Sequence, residues 1–137
     1  KAQIKTNKLT DVRLAIGVGN KTKEEQKVTQ SNGTAFINSG TCFENLKKTR
    51  LAIKTNNAEL DQTLNIMFGL ASLTTDHWAP AAAFATAHAL LNQDLNQKQL
   101  ADKLNKSQST ISEALNRAGY DSINELNTYY QKQINKL

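Results

Sequence analysis

The sequence predicts an α+β fold, with a small α/β segment in front of an all-helical piece. Three observations predict it. Two short apolar runs, at 11–19 and 50–54, have strand character and flank one helical pattern. From residue 57 onward the apolar spacing is helical throughout, interrupted only by caps and breakers. The length, 137 residues, fits one ordinary domain or two small ones sharing a core. A composition of 39% hydrophobic and 21% charged residues marks a globular chain rather than a disordered one.

The elements follow in order. In DVRLAIGVG at 11–19, Val12, Leu14, Ile16 and Val18 recur at period two, as in a half-buried strand ending at Gly19. Residues 20–30 are rich in Lys, Glu and Gln without a hydrophobic period and read as an exposed loop, closed by the Ser31-Asn32-Gly33 turn signal. Thr34 is placed to cap a helix over 35 to about 48, with Phe36, Cys42, Phe43 and Leu46 near one face. Residues 50–54 (RLAIK) form a second short strand. Asn56 or Asn57 then caps a strong helix over 58–74, whose apolar stripe is Leu60, Leu64, Met67, Phe68 and Leu73. Pro80 suits only the first turn of a new helix, and the alanine-rich run 79–91 follows it. The chain is therefore expected to divide into 1–56 and 57–137, with a last helix over 121–135.

Charge and cysteine content exclude several classes. One cysteine rules out an internal disulfide and a Cys-rich zinc site. The longest uncharged stretch, 77–93, contains His, Pro, Thr, Asn and Gln. It also falls short of the roughly 18 apolar residues of a membrane span. No membrane association is expected, and the lone thiol with no visible signal peptide suits the cytoplasm. The net charge is +5, with +7 over 1–57 and −2 over 58–137. A basic balance attracts polyanions, although a solvated surface explains it equally well.

The informative stretch is QKQLADKLNKSQSTISEALN at 97–116. It has the features of a DNA-binding helix-turn-helix, placed at 96–118, in which two helices cross closely through a short turn. Ala101 is the small residue at the crossing, while Leu100 and Leu104 anchor the first helix. Asn105 stands where the turn needs a left-handed backbone, and Ser107 can cap the second helix. Ile111 and Ala114 face the core, with Leu115 at its edge. The outward face is then Gln108, Ser109, Ser112, Glu113 and Asn116. Such side chains can hydrogen-bond base edges in the major groove. Lys106, Thr110 and Arg117 flank that face for phosphate contacts, and Gln97 can offer its backbone N–H to a phosphate. Residues 96–120 carry four basic and two acidic side chains, a modest net of +2.

With this motif in place, DVRLAIGVG at 11–19, SNGTAFINSG at 31–40 and RLAIKT at 50–55 join the stretch from Trp78 through Tyr120 and Asp121. The combination resembles the SatD family of small bacterial proteins, which pair an α/β front with a helix-turn-helix rear. The resemblance covers most of the chain and implies this architecture and a regulatory role. Members open with a hydrophobic strand carrying a Gly-Asp pair. Its absence here implies a partial α/β segment, truncated at its N-terminus.

The remaining candidates carry no chemistry. His77 and His88 are eleven apart, which is not a one-face metal spacing. Gly17 and Gly19 lack a following Gly-Lys-Ser and read as a strand end or bulge. Cys42 reads as a small buried hydrophobe, and Trp78 as an anchor between the long helix and the alanine-rich one. No spacing suggests a catalytic triad, so no enzyme activity, cofactor or metal is expected. The functional expectation is a sequence-specific transcriptional regulator on double-stranded DNA, as a homodimer, with the front half sensing a small-molecule effector or mediating assembly. The alternatives are a protein-interaction adaptor built on the same helices and a nucleotide-binding protein built on the front half.

Overall fold

The computed structural model describes residues 1–7, 11–19, 33–46 and 49–137. The expected loop at 20–30 and the first two turn residues, Ser31 and Asn32, lie outside these. The order is α1 (Ala2–Lys5), β1 (Leu14–Gly17), α2 (Thr34–Glu44), β2 (Leu51–Lys54), α3 (Ala58–Thr75), α4 (Pro80–Leu91), α5 (Gln97–Lys103), α6 (Gln108–Ala118) and α7 (Tyr120–Ile134). This is the expected α+β architecture. The contacts divide the chain into two compact units, one of residues 13–72 and one of 1–12 with 73–137. The division therefore falls within α3 rather than at the expected 56/57. The short α1 belongs with the helical unit, where Lys1 pairs with Asp76 and Ala2 packs beside Trp78 and Ala82.

In the α/β unit, β1 and β2 pair in parallel, Leu14 opposite Leu51 and Ile16 opposite Ile53. Parallel strands need a crossover, and α2 lies within it. The closeness of α2 to β1 explains Gly17. A Cβ there would fall 2.1 Å from the Ala35 carbonyl oxygen and 2.4 Å from the Ser39 nitrogen. The sheet-facing side of α2 is thus the small and polar set Ala35, Asn38, Ser39 and Cys42, with Asn38 and Cys42 buried. This corrects the expected face, since Phe36 and Phe43 are exposed and only Cys42 and Leu46 are buried. Large aromatics cannot fit where the helix backbone approaches a glycine. Two boundaries also differ. Gly33, not Thr34, is the N-cap, and the helix stops at Glu44 rather than near 48.

The free edge of β2 is closed by side chains of α3. Asn65 Oδ1 accepts from the Ile53 N–H at 2.9 Å, and Asn65 Nδ2 donates to the Ile53 carbonyl, also at 2.9 Å. Asp61 Oδ1 accepts from the Thr55 N–H at 2.7 Å. These bonds stand in for a third strand. Asn57 caps the helix, its Oδ1 accepting from the Leu60 N–H at 3.0 Å. Of the expected stripe, Leu64 and Phe68 are buried, Leu60 and Met67 are half-buried, and Leu73 is 72% exposed.

The helical unit is built around alanines. Ala82, Ala83, Ala85, Ala87 and Ala89 of α4 are all buried, so neighbouring helices approach closely. One cluster joins Ala85 and Ala89 to Leu100, Ala101, Ile111, Ala114 and Leu115. A second joins Trp78, Ala82 and Ala83 to Ala118. Leu115, expected at the edge, is buried, because half-buried Tyr120 packs against the same cluster. Among the described residues no helix is long and apolar enough to cross a membrane.

Candidate nucleic-acid interface

The site is built from α5, a four-residue turn and α6. Asn96 starts α5 with a reciprocal capping box: its side chain accepts from the Gln99 N–H at 2.9 Å, while Gln99 Oε1 accepts from the Asn96 N–H, also at 2.9 Å. The helix ends in a Schellman turn. The Lys106 N–H donates to the Ala101 carbonyl at 2.9 Å and the Asn105 N–H to the Asp102 carbonyl at 3.1 Å. Asn105 takes φ of 51°, the left-handed backbone that the turn requires. Ser107 then caps α6, its Oγ accepting from the Thr110 N–H at 3.1 Å. At the far end Gly119, with φ of 64°, breaks α6 from α7. Leu100, Ala101, Ile111, Ala114 and Leu115 lock the two helices onto α4. The result is a helix-turn-helix whose turn and caps are closed by local hydrogen bonds.

The predicted side chains come together on this unit, but not on a single face. Gln97 opens α5 and Lys106 stands in the turn, both exposed. Gln108, Ser109 and Asn116 are exposed on α6, and Ser112 is half-buried between them. Ser109 and Thr110 partly serve the cap, their hydroxyl oxygens lying 2.9 and 2.7 Å from Ser107 Oγ. The carboxamides of Gln108 and Asn116 are the larger polar groups on that row. Thr110, Glu113 and Arg117 form a separate row along α6 that lines a cleft with Trp78 and His77. Glu113 and Arg117 are salt-bridged to one another across one helical turn. Glu113 is thus part of the cleft and lies off the row of Gln108, Ser112 and Asn116, and its charge is balanced by Arg117.

No residue spacing in the sequence marks this cleft. The available signal was the His77-Trp78 pair just before the Pro80 helix start. In the α/β unit, Lys54, Asp61, Asn65 and Cys42 line a second hollow, with Lys54 Nζ 4.0 Å from Asp61 Oδ2. Burial pushes the Cys42 thiol up, Asp61 adds to that shift, and Lys54 opposes it. Among the described residues no group of three or more His, Cys, Asp or Glu side chains is placed to hold a metal ion. No protein-family model, curated protein or solved structure matches this chain.

Proposed function

We propose that this chain is a sequence-specific DNA-binding protein of the transcription-regulator class, reading the major groove with α6. The observation that carries the reading is the exposed row Gln108, Ser109, Ser112 and Asn116 on a helix whose opposite side is locked into the core. A carboxamide can pair bidentately with adenine, and serine can hydrogen-bond several base edges. Lys106 in the turn and the start of α5 at Gln97 serve the phosphates, which hold register without reading sequence. A homodimer would supply the contact area that one such unit lacks. The resemblance to the SatD family, a cytoplasmic location and a regulatory rather than enzymatic role belong to the same reading.

The test is selection of a randomised double-stranded DNA library on the purified chain at physiological salt, beside Q108A and N116A. The reading expects a discrete enriched site. Each variant should then bind that site more weakly by about 1–3 kcal/mol per lost base contact. Affinity should also fall steeply with salt, since phosphate contacts release counterions. Salt-labile retention of every sequence alike, or variants that bind the selected site like the parent, would rule out base reading by α6. Absence of any retained DNA would favour a protein partner for the same helices.

A further inference from the structure

The cleft beside α6 has a volume of about 520 Å³ and lies wholly within the helical unit. That is within the roughly 300–1,000 Å³ typical of small-molecule sites, which are mostly apolar with a few placed polar groups. Its composition follows that rule. Leu73, Trp78 and Ala81 supply apolar surface, and His77, Glu113 and Arg117 are among the polar groups that line it. The Trp78 N–H is committed to the Ala118 carbonyl at 2.9 Å, which fixes the indole ring as a wall. Leu73 stands 72% exposed, an apolar group that would gain from being covered.

The charged residues lining the cleft are Glu113 and Arg117, paired one helical turn apart, with side chains 65% and 69% exposed. Exposed pairs of this kind are weak. A guanidinium binds an incoming carboxylate through two parallel hydrogen bonds, so a ligand can compete with Glu113 for Arg117. An aromatic body attached to that carboxylate would lie against the Trp78 ring.

We infer that this cleft binds a small arylalkanoate, with its carboxylate on Arg117 and its ring against Trp78. Capture occupies Arg117 and releases Glu113, which makes the flank of α6 less attractive to phosphate. The binding claim stands on the cleft alone. The coupling to DNA rests on the DNA-binding reading above. The effector site then lies beside the reading helix and not in the α/β unit.

Trp78 is the only tryptophan, so the chain has a single indole N–H resonance. The ¹⁵N-labelled full chain is titrated with 3-phenylpropanoate, with its uncharged amide, and with acetate. The acid should shift the indole resonance saturably, the amide should bind about tenfold more weakly, and acetate should leave the resonance in place. R117Q should bring acid and amide to the same affinity. E113Q removes the internal competitor and should tighten the acid. A81F, at an exposed position, should fill the cleft and abolish the shift. No saturable shift with the acid, or an acid indifferent to both R117Q and A81F, overturns the site. DNA retention is measured on the same samples. Retention lost on adding the acid supports the coupling, and retention unchanged at saturating acid overturns the coupling alone. A chain that retains no DNA even without acid overturns the DNA-binding reading and leaves the cleft assignment standing on the titration.

Discussion

The indole N–H of Trp78 donates a 2.9 Å hydrogen bond to the carbonyl of Ala118, forty residues further along the chain. This ties Trp78, two residues before the start of α4, to the last turn of α6, where carbonyls have no partner within the helix. Both residues are buried, so the bond is shielded from water. Trp78→Phe should orphan the carbonyl and leave a void. The expected cost is about 2 kcal/mol, read as a lower denaturant midpoint with an unchanged m-value. A midpoint equal to the parent's would show that the bond carries no net stability.

Asn65 serves β2 as a surrogate neighbour, taking both the N–H and the carbonyl of Ile53. Asn65→Ala should cost about 1–3 kcal/mol, because two buried-edge groups lose their partners together. Hydrogen exchange separates this from general weakening. The Ile53 amide should lose protection far more than the amides of α6, which lies in the other unit.

Asn105 sits at φ of 51° in the helix-turn-helix turn. Glycine adopts that conformation without a Cβ clash, whereas alanine is strained there by roughly 1–2 kcal/mol. Asn105→Gly should therefore leave the melting temperature within a degree or two of the parent, while Asn105→Ala lowers it clearly. Equal effects of the two substitutions would mean that the asparagine side chain, not the backbone angle, holds the turn.

Thr86 on α4 is fully buried, and its hydroxyl has no hydrogen-bond partner among the described residues. Valine has nearly the same shape without the polar atom. Thr86→Val should stabilise the chain by about 1 kcal/mol, since a buried unsatisfied hydroxyl is removed with little change of volume. Destabilisation on calorimetric melting would reveal a partner for that hydroxyl.

Alkaline pH should weaken the fold. Burial pushes the Tyr130 hydroxyl and the Cys42 thiol above their ordinary values, and burial with Asp121 does so for Tyr120. The folded chain therefore holds these protons more tightly than the unfolded chain. Their contribution is fully present below the ordinary values of 9.0 for the thiol and 10.0 for the phenols, and is lost as pH rises through the raised folded values. Melting temperature should fall from about pH 9 upward. The fall should be shallower in a Tyr120→Phe, Tyr130→Phe double variant. A double variant with the parent's slope would remove the tyrosines from the explanation.

The punctuation of the helical unit was legible because it is local. Pro80 at the start of α4, left-handed Asn105 and the Ser107 cap act within about four residues of themselves. Residue type alone therefore announces them. The solvent-facing row of α6 was legible for the same reason, because an apolar stripe at helical spacing leaves its opposite side to solvent.

Burial was less legible, because it depends on partners far along the chain. Phe36, Phe43 and Leu73 look like core in the sequence and are exposed, while Leu115 is buried. The close approach of α2 to Gly17 excludes the aromatics from the sheet face, and Asn65 reaches twelve residues back to close an edge. The parallel register of the two strands and the gathering of Trp78 with Glu113 and Arg117 around one cleft are of the same kind. Contacts a few residues long fix where α4, α5 and α6 start and turn, and residue type announces them, whereas both ends of α2 and the short α1 lay beyond that signal. Tertiary packing alone decided which faces meet, since an apolar side chain is buried only where a distant segment is shaped to cover it.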